Sequence, residues 1–169
     1  DFAGRITGSS NVANLEAVDA VTTGTVISTA LSDSFSAIQG ANATLIKASA
    51  DAGANSGGAI TVTASSAANT IDLSTIAPAA GKGFNIVGGQ GDDNITGSNG
   101  GTSSDTYVFS AFATNGNDTI TQFAAGAVTS GGDVLDITEF VADLDGTADS
   151  TILKQAINTA VASREIIFL

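Results

Sequence analysis

The chain has 169 residues and a formal net charge of −12, because 17 acidic residues outnumber five basic ones. It contains no Cys, His, Met or Trp, which excludes disulfides, the common histidine-based zinc hydrolases and a Ser-His nucleophile pair. Ten of the acids lie between Lys82 and Lys154, where no basic residue occurs, so we expect no nucleic-acid partner.

Short apolar clusters follow one another along the chain, separated by Gly, Ser, Asn and Asp. Most of them alternate apolar with polar residues, which is the period of a β-strand. In chain order, strands are predicted at 5–7, 25–29, 43–49, 59–65, 69–75, 84–89, 93–98, 106–112, 118–123 and 133–140. Two further stretches, 13–21 and 29–38, fit either a strand or a short helix.

Close spacing of the central apolar residues predicts the architecture. Ile60, Ile71, Ile86 and Ile95 follow one another at short intervals, and the turns between them are too rich in small residues to fill a large core. We therefore expect one mainly all-β domain over 1–169, a parallel β-roll or β-helix of stacked coils. A two-sheet sandwich is the alternative.

The C-terminal part of the chain is predicted to close this stack. Residues 149–163 carry an amphipathic stripe that includes Ile152, Ala156 and Ile157, which predicts a helix that covers the open end. An interaction helix for a partner protein is the alternative. Residues 164–169 are predicted to form a short final strand.

One segment carries the most specific motif. Residues 88–96, GGQGDDNIT, fit the pattern G-G-x-G-x-D-x-U-x, where U is a large apolar residue. The segment resembles the calcium-binding repeat of RTX (haemolysin-type) proteins. The resemblance implies a glycine turn that points carbonyl oxygens at Ca²⁺, a carboxylate ligand from Asp93, and Ile95 as the core anchor. It places calcium between consecutive turns.

Incomplete copies of the motif surround it, so the resemblance covers residues 84–140. We therefore divide the domain into Ala/Ser/Thr-rich coils at 1–80 and an RTX-like calcium-binding block at 81–140. Asn69 and Asn11 stand where two further turns would have aspartate, and we expect structural turns there. One complete repeat predicts one to three calcium ions. The candidate ligands are Gly89, Gly91, Asp93, Asp105, Gly116, Asp118, Asp133 and Asp136.

The chain end, EIIFL at 165–169, resembles the terminus of proteins exported by the bacterial type I pathway. Together with the small-residue composition, this resemblance implies a secreted, calcium-binding structural protein of a surface layer or extracellular filament. Expected partners are copies of the chain and cell-surface polysaccharide. No apolar run reaches the ~18 residues of a membrane-spanning helix, so we expect no membrane insertion.

Two other functions compete with this hypothesis. The chain could be the C-terminal calcium-binding secretion and folding domain of a larger adhesin or hydrolase. It could also be an enzyme that uses a carboxylate pair, Asp92 with Asp93 or Asp133 with Asp136, as glycosidases do. Calcium ligation explains carboxylates on glycine turns without catalysis, so we expect no enzyme.

Overall fold

A computed structural model describes residues 4–52, 60–99, 102–110 and 115–139. The predicted helix at 149–163 and the predicted final strand at 164–169 lie outside these residues. The described strands are Arg5–Ile6 (β1), Ile27–Ser28 (β2), Leu31–Ser34 (β3), Ile60–Thr63 (β4), Thr70–Asp72 (β5), Asn85–Val87 (β6), Asn94–Thr96 (β7), Thr106–Val108 (β8), Thr119–Thr121 (β9) and Val134–Asp136 (β10). The helices are Val12–Asp19 (α1), Phe35–Gly40 (α2) and Ala43–Ala52 (α3), with a 3₁₀ turn at Val128–Ser130.

These helices make the predicted all-β class wrong, because the chain combines helices with parallel sheets. The clearest error is 43–49, a predicted strand that lies in α3, where Leu45, Ile46 and Ala50 are buried at helical spacing. Both undecided stretches contain helices. Asn11 caps α1 by accepting the Asn14 N–H, and Ser34 caps α2 by accepting the Ala37 N–H.

All strand pairs of the described residues are parallel. One sheet has five strands in the order β10-β8-β6-β4-β3, a second has three in the order β5-β7-β9, and β1 pairs with β2. From β4 to β10, consecutive strands alternate between the five-stranded and the three-stranded sheet. The chain therefore returns to each sheet at the next position in its strand order, and we call the residues from one strand to the next strand of the same sheet a coil.

The three-residue strands β5 to β9 each bury their middle residue in the core. In the three-stranded sheet, Ile71, Ile95 and Ile120 occupy equivalent positions and are buried. In the five-stranded sheet, Ile86 aligns with Tyr107, and both are almost fully buried. Apolar residues of the helices join the same core, so burial of one residue per strand holds sheets and helices together.

Glycines with positive φ make the turns that precede several strands. Gly116 has φ +83°, and a Cβ at this position would lie 2.3 Å from the carbonyl oxygen of Gly91 in the neighbouring turn. Gly8 has φ +92°, but no atom lies within 4 Å of the place where its Cβ would be. Gly116 thus meets two requirements, a left-handed backbone and a close approach of two turns, whereas Gly8 meets only the first.

Alanine at these two glycines should separate the two effects. We expect Gly8→Ala to lower the free energy of unfolding by about 1 kcal/mol, through backbone strain alone. We expect Gly116→Ala to cost about 1–3 kcal/mol more, because its methyl group would overlap the Gly91 carbonyl. Urea unfolding of both variants measures the difference, and equal losses would contradict the close packing of the turns.

Candidate functional site

Four of the five predicted ligand aspartates occupy one repeated position, the residue immediately before a strand. In the three-stranded sheet this position is held by Asn69, Asp93 and Asp118, which precede β5, β7 and β9. Because the strands are parallel and in register, these three residues stack on one another. In the five-stranded sheet the same position is held by Phe84, Asp105 and Asp133, which precede β6, β8 and β10.

Within the three-stranded sheet, each carboxylate bonds the backbone of the coil before it. Asp93 Oδ1 accepts the Asn69 N–H at 2.8 Å and the Asn69 side-chain amide at 3.0 Å. Asp118 Oδ1 accepts the Asp93 N–H at 3.0 Å. We call Asn69, Asp93 and Asp118 the first aspartate ladder.

The five-stranded sheet repeats the arrangement. Asp105 Oδ1 accepts the Phe84 N–H, and Asp133 Oδ1 accepts the Asp105 N–H, both at 2.8 Å. We call Phe84, Asp105 and Asp133 the second aspartate ladder. The structure thus brings four of the predicted ligands into two ladders, where they accept hydrogen bonds from backbone N–H groups.

Three of these four aspartates also have a donor for the second carboxylate oxygen. Asp105 Oδ2 accepts the Ser98 N–H at 2.7 Å and lies 3.0 Å from the Ser98 hydroxyl oxygen. Asp133 Oδ2 accepts the Ala124 N–H at 2.8 Å, and Asp118 Oδ2 accepts the Asn115 side-chain amide at 2.6 Å. Sequence reasoning missed Ser98 and Asn115, since no pattern links either residue to a particular aspartate.

Asp93 differs from the other three. Its side chain is buried, with 2% of the residue exposed, and its Oδ2 has no hydrogen-bond partner. This oxygen lies beside the complete glycine motif, 2.8 Å from the place that a Cβ on Gly88 would take. Gly89 and Gly91, both with φ near +90°, shape this turn and stack it against the neighbouring coils.

A cation at Asp93 would meet one carboxylate oxygen without a donor, because Oδ1 already accepts hydrogen bonds from Asn69. Calcium takes six to eight oxygens, and carbonyl and water oxygens can supply most of them where glycine lets the backbone approach. Among residues 4–52, 60–99, 102–110 and 115–139, no group of three His, Cys, Asp or Glu is placed to hold a metal ion. A cage of several carboxylates is therefore not present in the described structure.

Three other residues considered above, Asp136, Asp92 and Gly116, lie outside the two ladders. Hydrogen bonds from Thr138 hold the pKa of the Asp136 carboxyl below the usual value. Asp92 is exposed and accepts the Asn117 N–H at 2.9 Å. Gly116 shapes the turn that precedes Asp118. Two carboxylate pairs were considered for catalysis, Asp92 with Asp93 and Asp133 with Asp136. All four of these carboxylates accept a hydrogen bond from a backbone N–H.

Burial of the ladders is unfavourable for negative charge. Burial raises the pKa of Asp105 to about 6, and the nearby Asp133 carboxylate adds to the shift. Burial also raises the pKa of Asp118 and of Asp133 above the usual value. The nearby carboxylates of Asp93 and Asp92 add to the raised pKa of Asp118, so a cation or a proton close to these groups would lower the cost of their charge.

Comparison with known proteins adds no relative. No family model, curated protein or solved structure matches this chain. No helix in the described parts of the chain has the length and apolar character needed to cross a membrane.

The raised pKa of Asp105 predicts a pH dependence of stability. A carboxyl whose pKa is higher in the folded than in the unfolded state binds more protons when folded, so this group's contribution to stability falls as pH rises from about 4 to about 6. The loss is on the order of 3 kcal/mol. We expect wild-type unfolding free energy, measured with chelator, to decline more steeply over this window than that of Asp105→Asn.

The control for this comparison is Asp136→Asn, which changes a carboxyl outside the ladders. It should retain the wild-type decline over the same pH window. Parallel curves for wild type and Asp105→Asn would show that the Asp105 carboxyl is not held in the buried environment described above.

Proposed function

We propose that the protein is a secreted structural protein of a bacterial surface layer or extracellular filament, and that it binds calcium at the turn of Asp93. One observation carries the calcium site: Asp93 Oδ2 is a buried carboxylate oxygen with no donor, inside a glycine turn. A buried charged oxygen without a partner costs free energy, and a bound cation would remove that cost.

The charge of the site suggests where it works. One free carboxylate oxygen gives a site with few charged ligands, and calcium sites of extracellular modules bind with Kd of about 10⁻⁴ to 10⁻³ M. Such a site fills where calcium is millimolar and stays empty where calcium is scarce. This match to the extracellular medium supports a secreted protein.

Charge and sheet edges support assembly. The net charge of −12 keeps copies of the chain apart, and calcium would reduce that repulsion. In the described residues, β9 pairs only with β7, and β10 pairs only with β8, so each strand has one edge without a described partner. A strand edge that no part of the chain covers would favour association between copies. The proposed role is thus a subunit that calcium makes competent to assemble.

Calcium titration by calorimetry tests the proposed site. Wild type should bind with Kd of about 10⁻⁴ to 10⁻³ M. Asp93→Asn should bind at least about tenfold more weakly, because it removes the charge at Oδ2 while Oδ1 still accepts the Asn69 N–H. Asp136→Asn serves as the matched control and should bind as wild type does. Equal binding by the two variants, or no binding by wild type, would refute the site.

Light scattering tests the assembly part separately. Addition of millimolar calcium should increase the scattering of wild type, and chelator should reverse the increase. Asp93→Asn should need a higher calcium concentration for the same increase. Scattering that does not change between chelator and excess calcium would remove the support for a calcium-controlled subunit.

A further inference from the structure

We infer that Asp105, Asp118 and Asp133 are not calcium ligands but hold consecutive coils in register, so that the protein binds one calcium ion per chain and stacks its described coils without calcium. The claim that each chain binds one calcium ion rests on the proposed function. The claim that the aspartates hold the coils in register rests on hydrogen bonds alone.

The hydrogen bonds form a unit that occurs four times. In the first ladder, the next coil bonds both backbone groups of Asp93. Asp118 Oδ1 accepts a hydrogen bond from the Asp93 N–H, and the Thr119 N–H donates one to the Asp93 carbonyl oxygen. Asn69 is held in the same way by Asp93 and Asn94. The aspartate side chain thereby extends the backbone pairing of the sheet by one residue.

The second ladder repeats this unit with the same atoms. Phe84 is held by Asp105 Oδ1 and the Thr106 N–H, and Asp105 is held by Asp133 Oδ1 and the Val134 N–H. The four carbonyl contacts of the two ladders span only 2.7 to 2.8 Å. Phe84 cannot ligate calcium through its side chain, yet its N–H is bonded in the same way, so the unit does not depend on an acidic residue in the preceding coil.

Coil length varies while the unit stays constant. The four bonded pairs are separated by 24, 25, 21 and 28 residues. A nonapeptide metal cage would need turns of fixed geometry, whereas a side chain that bonds the preceding strand only needs strands in register. The constant contacts across unequal coils indicate that these aspartates specify register.

Calcium would have to compete with donors that are already in place. Asp105 is 1% exposed, and Phe84 and Ser98 donate to both of its oxygens. Both oxygens of Asp118 and both of Asp133 likewise accept hydrogen bonds. Moving any of these carboxylates to a metal ion would leave a backbone N–H without its acceptor, which is unfavourable. Of the four ladder carboxylates, Asp93 alone has an oxygen without a donor.

The experiment measures the number of bound calcium ions and the urea midpoint of each variant in calcium and in chelator. Wild type should bind one ion. Asp133→Ala should bind one ion with the wild-type Kd within about twofold, and its midpoint should fall by about 1 M in both conditions. Asp133→Asn, which keeps an acceptor, should recover part of that midpoint. Asp93→Asn should lose the ion.

Each other outcome has a distinct meaning. Two or more ions in wild type, or an Asp133→Ala midpoint loss that appears only in calcium, would overturn the inference. If wild type binds no calcium ion and the urea midpoint of Asp133→Ala still falls in chelator, the proposed calcium site is refuted and the register role is supported. If Asp133→Ala does not fold, the same comparison is made with Asp133→Asn against wild type.

Discussion

The hydrogen bond from a backbone N–H to an aspartate of the next coil is the contact on which the stack depends. It occurs at Asn69, Phe84, Asp93 and Asp105, always immediately before a strand. Each bond fixes the start of the strand that follows. The residue two positions after the bonded N–H then enters the core, as Ile71 does after Asn69 and Ile95 does after Asp93. A shift of one residue would expose that apolar residue, so the ladders and the core specify the same register.

Burial of these carboxylates is unfavourable for their negative charge. The donors that hold Asp105, Asp118 and Asp133 offset part of the cost of burying their charge, but the pKa of each stays above the usual value. Asp93 has donors on one oxygen only, and that difference singles it out as the calcium position. All four aspartates thus bond the preceding coil, and in our proposal Asp93 also binds a cation.

Sequence reasoning predicted the parts that local pattern determines. The motif at 88–96 indicated that Ile95 enters the core after a glycine turn, and apolar/polar alternation predicted the strands at 106–112, 118–123 and 133–140 that contain β8, β9 and β10. It failed for α3, where 43–49 shows alternation compatible with a strand but Leu45, Ile46, Ser49 and Ala50 are buried as one helical face. It also could not supply the partners of the aspartates. The backbone N–H partners in the preceding coil are 21 to 28 residues away in the sequence, and only the stacking of coils brings them together.

Amide hydrogen exchange of the calcium-free protein tests the central claim most directly. If the ladders hold the coils in register, the N–H groups of Asn69, Phe84, Asp93 and Asp105 exchange slowly in chelator, at rates comparable to those of the buried strand residues Ile86 and Ile95. The turn residue Gln90, for which no hydrogen bond is described, provides the fast reference within the same chain. Fast exchange of the four ladder amides in chelator, with protection only after calcium is added, would contradict the account.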